Sequence, residues 1–360
     1  MKAAVTNPVL LRDIRSQGGV LKEGLVVARR EASALDIGNA HRVVLTGSGD
    51  SFIAALAVHA LFDHHADRTV LSLPSLDAGR YVSFERGDLL VAISVSGEVV
   101  RTVEAAQRAR SAGATVLAIT ANPGSRLAAS SEGLMTLPEP LDRSIPHCRD
   151  YTAALLVLAA LLERLASRTL PPLDLIPALT NDTVSRCLVV GDQIGRSGGR
   201  TWFLGAGPDR ASAMYGALKF WEAAGMEAWW DDLEEFGHGS QLMARPGDRA
   251  VLIAAGPGCQ RALEVICGLE RMGLEIVLVG GEEMSSLPHQ NLLTTDQLEA
   301  RWHPFLSCVP LQVLTFLEAE ARGLNVSVPL FGQPHGPAYD EVHVQWVRGS
   351  RVVLDQGSAP

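Results

Sequence analysis

Two hydroxyls and a glycine stand together in Ser94-Val95-Ser96-Gly97-Glu98, directly after the apolar run Leu89-Leu90-Val91-Ala92-Ile93 and before an Ala- and Arg-rich stretch beginning at Val99. An unbroken apolar run bounded by Arg86-Gly87-Asp88 reads as a buried parallel strand, and the segment after Gly97 has helical period. A tight turn between such a strand and helix presents the free N–H groups of the first helical turn and the positive end of the helix dipole, which favour an anion. Serine hydroxyls add hydrogen bonds, and a glycine lets an oxygen approach the backbone closely. The chemistry expected at Ser94, Ser96 and Gly97 is phosphate binding.

The elements that must position this turn read as a repeated βα alternation. Residues 8 to 35 suggest two short amphipathic helices broken at Gly18-Gly19. Arg42 to Thr46 reads as a strand running into Gly47-Ser48-Gly49-Asp50-Ser51 and a helix from about Phe52 to Phe62, a second strand, turn and helix. After the central turn come a helix over 99–112, a strand over Thr115–Ile119, a helix near Ser125 to Ala129 and a short strand over Leu134–Leu137. The apolar helix Tyr151 to Leu165 closes this half, and Pro171-Pro172 with the polar residues near Asn181 to Ser185 read as a linker. A parallel sheet with helices on both faces is the economical arrangement.

The second half repeats the first. Thr201 to Asp209 mirrors the strand entering Gly47, and residues 249–279 match 89–119 at an offset of 160, with Arg101/Arg261, Glu104/Glu264 and Gly113/Gly273 coinciding. The copies differ in chemistry: Ala254 and Gly256 stand where the first has Ser94 and Ser96, so phosphate is expected in the first. The expected class is α/β, two tandem three-layer αβα units of flavodoxin-like type. The expected divisions are an N-terminal helical segment over 1–37, units over 38–170 and 171–325, and a tail over 326–360.

Composition narrows the function. With 360 residues, 47% hydrophobic and 20% charged, the chain has ample core, and its net charge of −9 argues against nucleic-acid binding by bulk charge. The five cysteines form no CxxC pair, which suggests reduced thiols and a cytoplasmic setting. No apolar run is long enough to span a membrane. Gly47-Ser48-Gly49 lacks the third glycine of a dinucleotide fingerprint, since Phe52 occupies that place, and His59, His64 and His65 lack metal-ligand spacing. Neither a cofactor nor a metal is expected.

Two units, with Gly-Ser-Gly-Asp-Ser after one strand and Ser-Val-Ser-Gly-Glu after the next, resemble tandem sugar isomerase (SIS) domains, most of all the isomerase half of glucosamine-6-phosphate synthase and its deaminase and deglycase relatives. The likeness is strongest at Ser94 to Gly97 and at Gly216-Ala217-Leu218-Lys219-Phe220-Trp221-Glu222 followed by Glu235-Phe236-Gly237-His238-Gly239. It implies that Glu222 moves a proton between C1 and C2 of a sugar, and that His238, sixteen residues on, helps open the ring. It also places Gly49, Ser51, Ser94 and Ser96 at the sugar phosphate and Glu235 at a further acidic position. The chemistry of the residues agrees: one carboxylate over two carbons can carry a proton between them, and a histidine between glycines can approach a ligand and exchange a proton near neutral pH. Lys219 reads as a helix surface residue.

Several positions depart from that family. Val99 stands where a threonine meets phosphate, with Arg101 and Thr102 one turn on as substitutes, and Val95 replaces a glutamine. His147 falls where a serine often lies near the ligand, and His335, in a tail that reads as a β-hairpin through Arg348-Gly349-Ser350, is a further candidate for a covered site. No lysine follows Lys219, so a Schiff base of the synthase type is not expected; with no N-terminal catalytic cysteine or glutamine-hydrolysing domain in this sequence, glutamine-dependent amidotransfer is not expected either. The expected function is a phosphosugar aldose–ketose isomerase acting through Glu222. The alternatives are a glucosamine-6-phosphate-type deaminase or deglycase and a non-catalytic phosphosugar sensor. The expected partners are a small phosphosugar and a second copy of the chain, in a homodimer with shared sites.

Overall fold

The apolar runs fold into two parallel sheets, seen in a computed structural model that describes residues 5–37, 40–141, 146–191, 193–194, 196–292, 297–327 and 341–349. The first sheet holds β1 (Arg42–Gly47), β2 (Thr69–Pro74), β3 (Asp88–Ile93), β4 (Thr115–Thr120) and β5 (Gly133–Thr136) in the order β2-β1-β3-β4-β5. The second holds β6 (Thr201–Gly205), β7 (Ala228–Asp232), β8 (Arg249–Ala254), β9 (Glu275–Gly280) and β10 (Gln290–Asn291) in the order β10-β9-β8-β6-β7. Counted from the start of each sheet, both orders are 2-1-3-4-5. β3 and β8 are buried at every residue, as strands covered on both faces must be. Of the edge strands, β7 alternates little and exposes Trp229 and Trp230, which hid it from a pattern reading.

Helices cover both faces of each sheet. In the first half these are α1 (Pro8–Ala34), α2 (Asp50–Ala57), α3 (His59–His65), α4 (Ser75–Arg80), α5 (Val100–Ser111), α6 (Arg126–Ala129) and α7 (Arg149–Leu165). In the second they are α8 (Ile176–Gly191), α9 (Asp209–Ala224), α10 (Pro257–Arg271) and α11 (Pro304–Ala321). One apolar core runs through both halves and joins Ile14 of α1, Leu158 of α7, Phe220 of α9 and Leu311 of α11. The outer face of each sheet has its own cluster, around Val103 and Leu127 in the first half and Leu252 and Ile266 in the second. The halves therefore share their inner layer, and α9 packs directly on α2.

Three local expectations are corrected. Residues 8–34 form one 27-residue helix. Gly18 does not break it; a β-carbon there would fall 2.2 Å from the Asn181 side chain, so the glycine admits α8. The polar stretch 181–185 is also helical: α8 buries Leu179, Val184 and Cys187 against α1 and α11, and Thr180, Thr183 and Ser185 satisfy their hydroxyls on carbonyls four residues back at 2.8, 2.8 and 2.9 Å. In the tail, 341–344 is α-helical and Gln345–Gly349 a π-turn against α5, where a hairpin was expected.

Candidate active site

In a sheet of order 2-1-3-4-5, β1 and β3 are neighbours whose following connections leave in opposite directions, so a crevice opens past their carboxyl ends. The two turns singled out by sequence stand there. Thr46 pairs with Ala92 across the strands, and the chain then enters Gly49–Ser51 on one side and Ser94–Val99 on the other.

The second turn is held firmly. Gly97 donates from its N–H to Ser94 Oγ at 3.1 Å and to the Ser94 carbonyl at 3.0 Å, and Glu98 N–H donates to Ser96 Oγ at 3.2 Å. Gly97 has φ of 67°, and a β-carbon on it would fall 2.1 Å from Ser125 Oγ, so a side chain is excluded on both counts. Arg126 closes the outer edge by donating to Glu98 Oε2 at 2.6 Å and to the Glu98 carbonyl at 2.8 Å. The Arg126 backbone N–H, donating to Glu98 Oε1 at 3.0 Å, and then the guanidinium hold the Glu98 carboxyl below its usual range. α5 starts from Val99, which offers no capping side chain, and has no acidic residue in its first turn. The amides at this end are thus set for an outside acceptor.

The second half contributes through α9. Lys219 is fully buried and lies between two carboxylates: Nζ donates to Asp50 Oδ2 at 2.7 Å and to Glu222 Oε2. Burial works against the ammonium, but Asp50 and Glu222 outweigh it and raise its proton affinity above the ordinary range. A lysine so placed stays charged and is not an amine nucleophile. Burial pushes Asp50 up to about 6, Lys219 opposing and Glu222 adding to the rise. Asp50 Oδ1 is buried without a hydrogen-bond partner among the described residues. Glu222 is 37% exposed in its side chain, so one oxygen engages Lys219 while the group still reaches solvent. His147 joins this cluster: its carbonyl lies 3.5 Å from Lys219 Nζ and 3.4 Å from the Tyr215 hydroxyl, which in turn accepts from Gln312 at 3.0 Å.

The structure therefore brings Glu222 and His147 together with the Gly49–Ser51 turn, and it sets Ser94, Ser96 and Gly97 on the adjoining strand end. The surface placement of Lys219 is corrected, since the apolar helix buries it against the first half. Thr102 is not at the loop: it is fully buried, with its hydroxyl 2.8 Å from that of Ser75. Arg101 is spent on Glu104, 2.5 Å away. His238 stands on a short 3₁₀ turn with its side chain 67% exposed, 3.5 Å from Glu234, and Glu235 is exposed beside it. His335 lies outside the described residues. Asp50 escaped the sequence reading because only its partner, arriving from the other half, gives it a role. The Gly49-Asp50-Ser51 turn and the Ala217-Leu218-Lys219 segment were the available signals.

The SIS domain family model matches residues 36–164, which span the first sheet and most of α7. That is a single match, where two were expected from the sequence. Over 318 residues the chain is 24% identical to glutamine–fructose-6-phosphate aminotransferase [isomerizing] of Pyrobaculum aerophilum, covering 85% of this chain and 53% of that protein. The chain spans about half the length of the curated relatives it matches. Among solved structures, glucosamine-6-phosphate deaminase of Thermotoga maritima superposes with a TM-score of 0.75 at 19% identity, over 89% of this chain and 97% of that one. Tagatose-6-phosphate ketose/aldose isomerase of Escherichia coli gives 0.73 at 19% identity, over 91% and 96%. No helix among the described residues is long and apolar enough to cross a membrane.

Proposed function

We propose that this chain is a phosphosugar aldose–ketose isomerase whose site lies past the carboxyl ends of β1 and β3. The observation that carries the reading is the meeting of Glu222 and Lys219 from α9 with Asp50 at the start of α2. A substrate phosphate on Ser51, Ser94, Ser96 and the free amides of α5 would lay its sugar chain toward Glu222. That carboxylate removes a proton from C1 of the ketose, leaving an enediolate with its charge on O2; the proton of O1 passes to O2, and the carboxylic acid returns its proton to C2, which yields the aldose. Lys219 keeps Glu222 oriented between transfers. The second sheet, with its repeated strand order but Ala254 and Gly256 in place of the serines, acts as a diverged SIS copy that delivers α9.

The likeness to the Thermotoga deaminase favours a second reading, in which the same proton transfer on an amino sugar ends in loss of ammonia. A homodimer is part of the proposal: Trp221, Trp229, Leu242 and Met243 expose apolar surface on the second half, which would serve a second copy.

The test is proton NMR in D2O with fructose 6-phosphate, glucose 6-phosphate, glucosamine 6-phosphate and tagatose 6-phosphate, with ammonia assayed in parallel. Deuterium entering C1 or C2 supports the isomerase, and ammonia release selects the deaminase. Glu222→Gln should abolish exchange while phosphosugar line broadening persists; retained exchange sinks the assignment. Broadening without exchange for every sugar would leave a sensor.

A further inference from the structure

His238 is exposed and apart from Glu222 within its own chain, whereas a second histidine, His147, stands beside Lys219. The His147 ring donates from Nδ1 to Asp150 Oδ2 at 2.6 Å, and Asp150 is 2% exposed at the head of α7. A carboxylate there selects the tautomer with the proton on Nδ1 and leaves the lone pair on Nε2. Nδ1 is taken by Asp150 and the side chain is 34% exposed, so among the described residues the ring is not fully enclosed. The backbone ties the ring to the reacting group: the His147 carbonyl is 3.5 Å from Lys219 Nζ, which bonds Glu222. A base oriented by a buried carboxylate, with its backbone carbonyl against the lysine that bonds Glu222, has the arrangement of an acid–base catalyst.

We propose that His147, oriented by Asp150, opens the sugar ring in the site of its own chain. The inference rests on the isomerase reading above. Neutral Nε2 takes the proton of the anomeric hydroxyl; the O–H pair becomes the new C=O bond, the bond from the anomeric carbon to the ring oxygen breaks, and its pair stays on that oxygen. Nε2–H then returns the proton to the ring oxygen. One proton moves between two oxygens, and nothing is oxidised or reduced. The open carbonyl chain is what Glu222 needs, since a ring lacks the acidified C–H.

The test separates ring opening from proton shuttling. Fructose 6-phosphate closes its ring through O5, and 5-deoxyfructose 6-phosphate cannot. C1 exchange in D2O is followed for both with wild-type protein and with His147→Gln, Asp150→Asn, Glu222→Gln and His238→Gln. His147→Gln should slow exchange of fructose 6-phosphate about 10²–10⁴-fold and change the 5-deoxy compound less than about 5-fold. Asp150→Asn, a positioning change, should follow the same split more weakly, and Glu222→Gln should abolish both. Equal slowing of both substrates by His147→Gln overturns the inference, as does a selective loss found only in His238→Gln. No exchange of either compound by the wild-type protein removes the isomerase reading and this inference with it. Thermal melting of each variant identifies a loss that comes from unfolding, and in that case His147→Asn replaces His147→Gln in the same comparison.

Discussion

Lys219 and Asp50 are 169 residues apart in sequence, and their side chains meet at 2.7 Å where α9 of the second half crosses α2 of the first. The ammonium is fully buried and takes both Asp50 and Glu222 as partners. This charged cluster therefore forms only when the halves are docked, and the same contact supports the docking.

Removing one partner of a buried ion pair leaves the other charge uncompensated, which typically costs about 3–5 kcal/mol. Lys219→Met is predicted to lose on that order in chemical denaturation. Adding Asp50→Asn should restore a good part of it, since the orphaned carboxylate is gone. Strictly additive losses in the double variant would show that the two residues do not act as a pair.

The two turns differ in how they use glycine. Both Gly97 and Gly49 have positive φ, 67° and 57°, but a β-carbon on Gly97 meets Ser125 while one on Gly49 meets nothing within 4 Å. Gly49→Ala should cost about 1 kcal/mol from the left-handed backbone alone. Gly97→Ala should cost several times as much and abolish phosphosugar binding. Urea midpoints and ligand line broadening check both, and equal costs would contradict the close packing against Ser125.

In α1 the adjacent glycines predict opposite results. Gly19 is exposed with open space around it, so Gly19→Ala should stabilise the protein by about 0.5–1 kcal/mol through helix propensity. Gly18→Ala must displace the Asn181 side chain and should destabilise, an effect that Asn181→Ala would relieve. A stabilising Gly18→Ala would show that α1 and α8 do not need the close approach.

The His147 ring is held above its ordinary value of 6.5: burial works against the charge, but the hydrogen bond and charge of Asp150 exceed it, with Lys219 opposing and Asp50 assisting. A folded value above the unfolded one means stability that is complete below pH 6.5 and fades as pH rises through the folded value. Asp150→Asn should lower the ring's NMR titration midpoint and flatten that loss. An unchanged midpoint would mean that Asp150 is not the controlling partner.

The strands and the phosphate turn were legible because β1, β3, β4, β6, β8 and β9 are apolar runs with glycine turns, and the offset between halves shows in residues such as Gly113 and Gly273. What the sequence hid depends on distant partners. Gly18 reads as a break until Asn181 is seen against it, and Lys219 reads as surface until Asp50 arrives from the other half. Thr102 and Arg101 were sensible substitutes for Val99 by spacing along a helix, yet Ser75 and Glu104 had already claimed them. His147 was noticed by position alone; Asp150, one turn on at the head of α7, is what gives it a direction.

The scarcity of lysine turns the buried ammonium into a reporter. Of three lysines in the chain, Lys22 is exposed, Lys2 lies outside the described residues, and Lys219 is sealed behind α2. An acylating reagent meets Lys219 only when α9 lifts from α2, so the rate at which mass spectrometry finds that one amine modified measures how often the two halves part. The protein thus carries its own label for breathing, without an introduced probe.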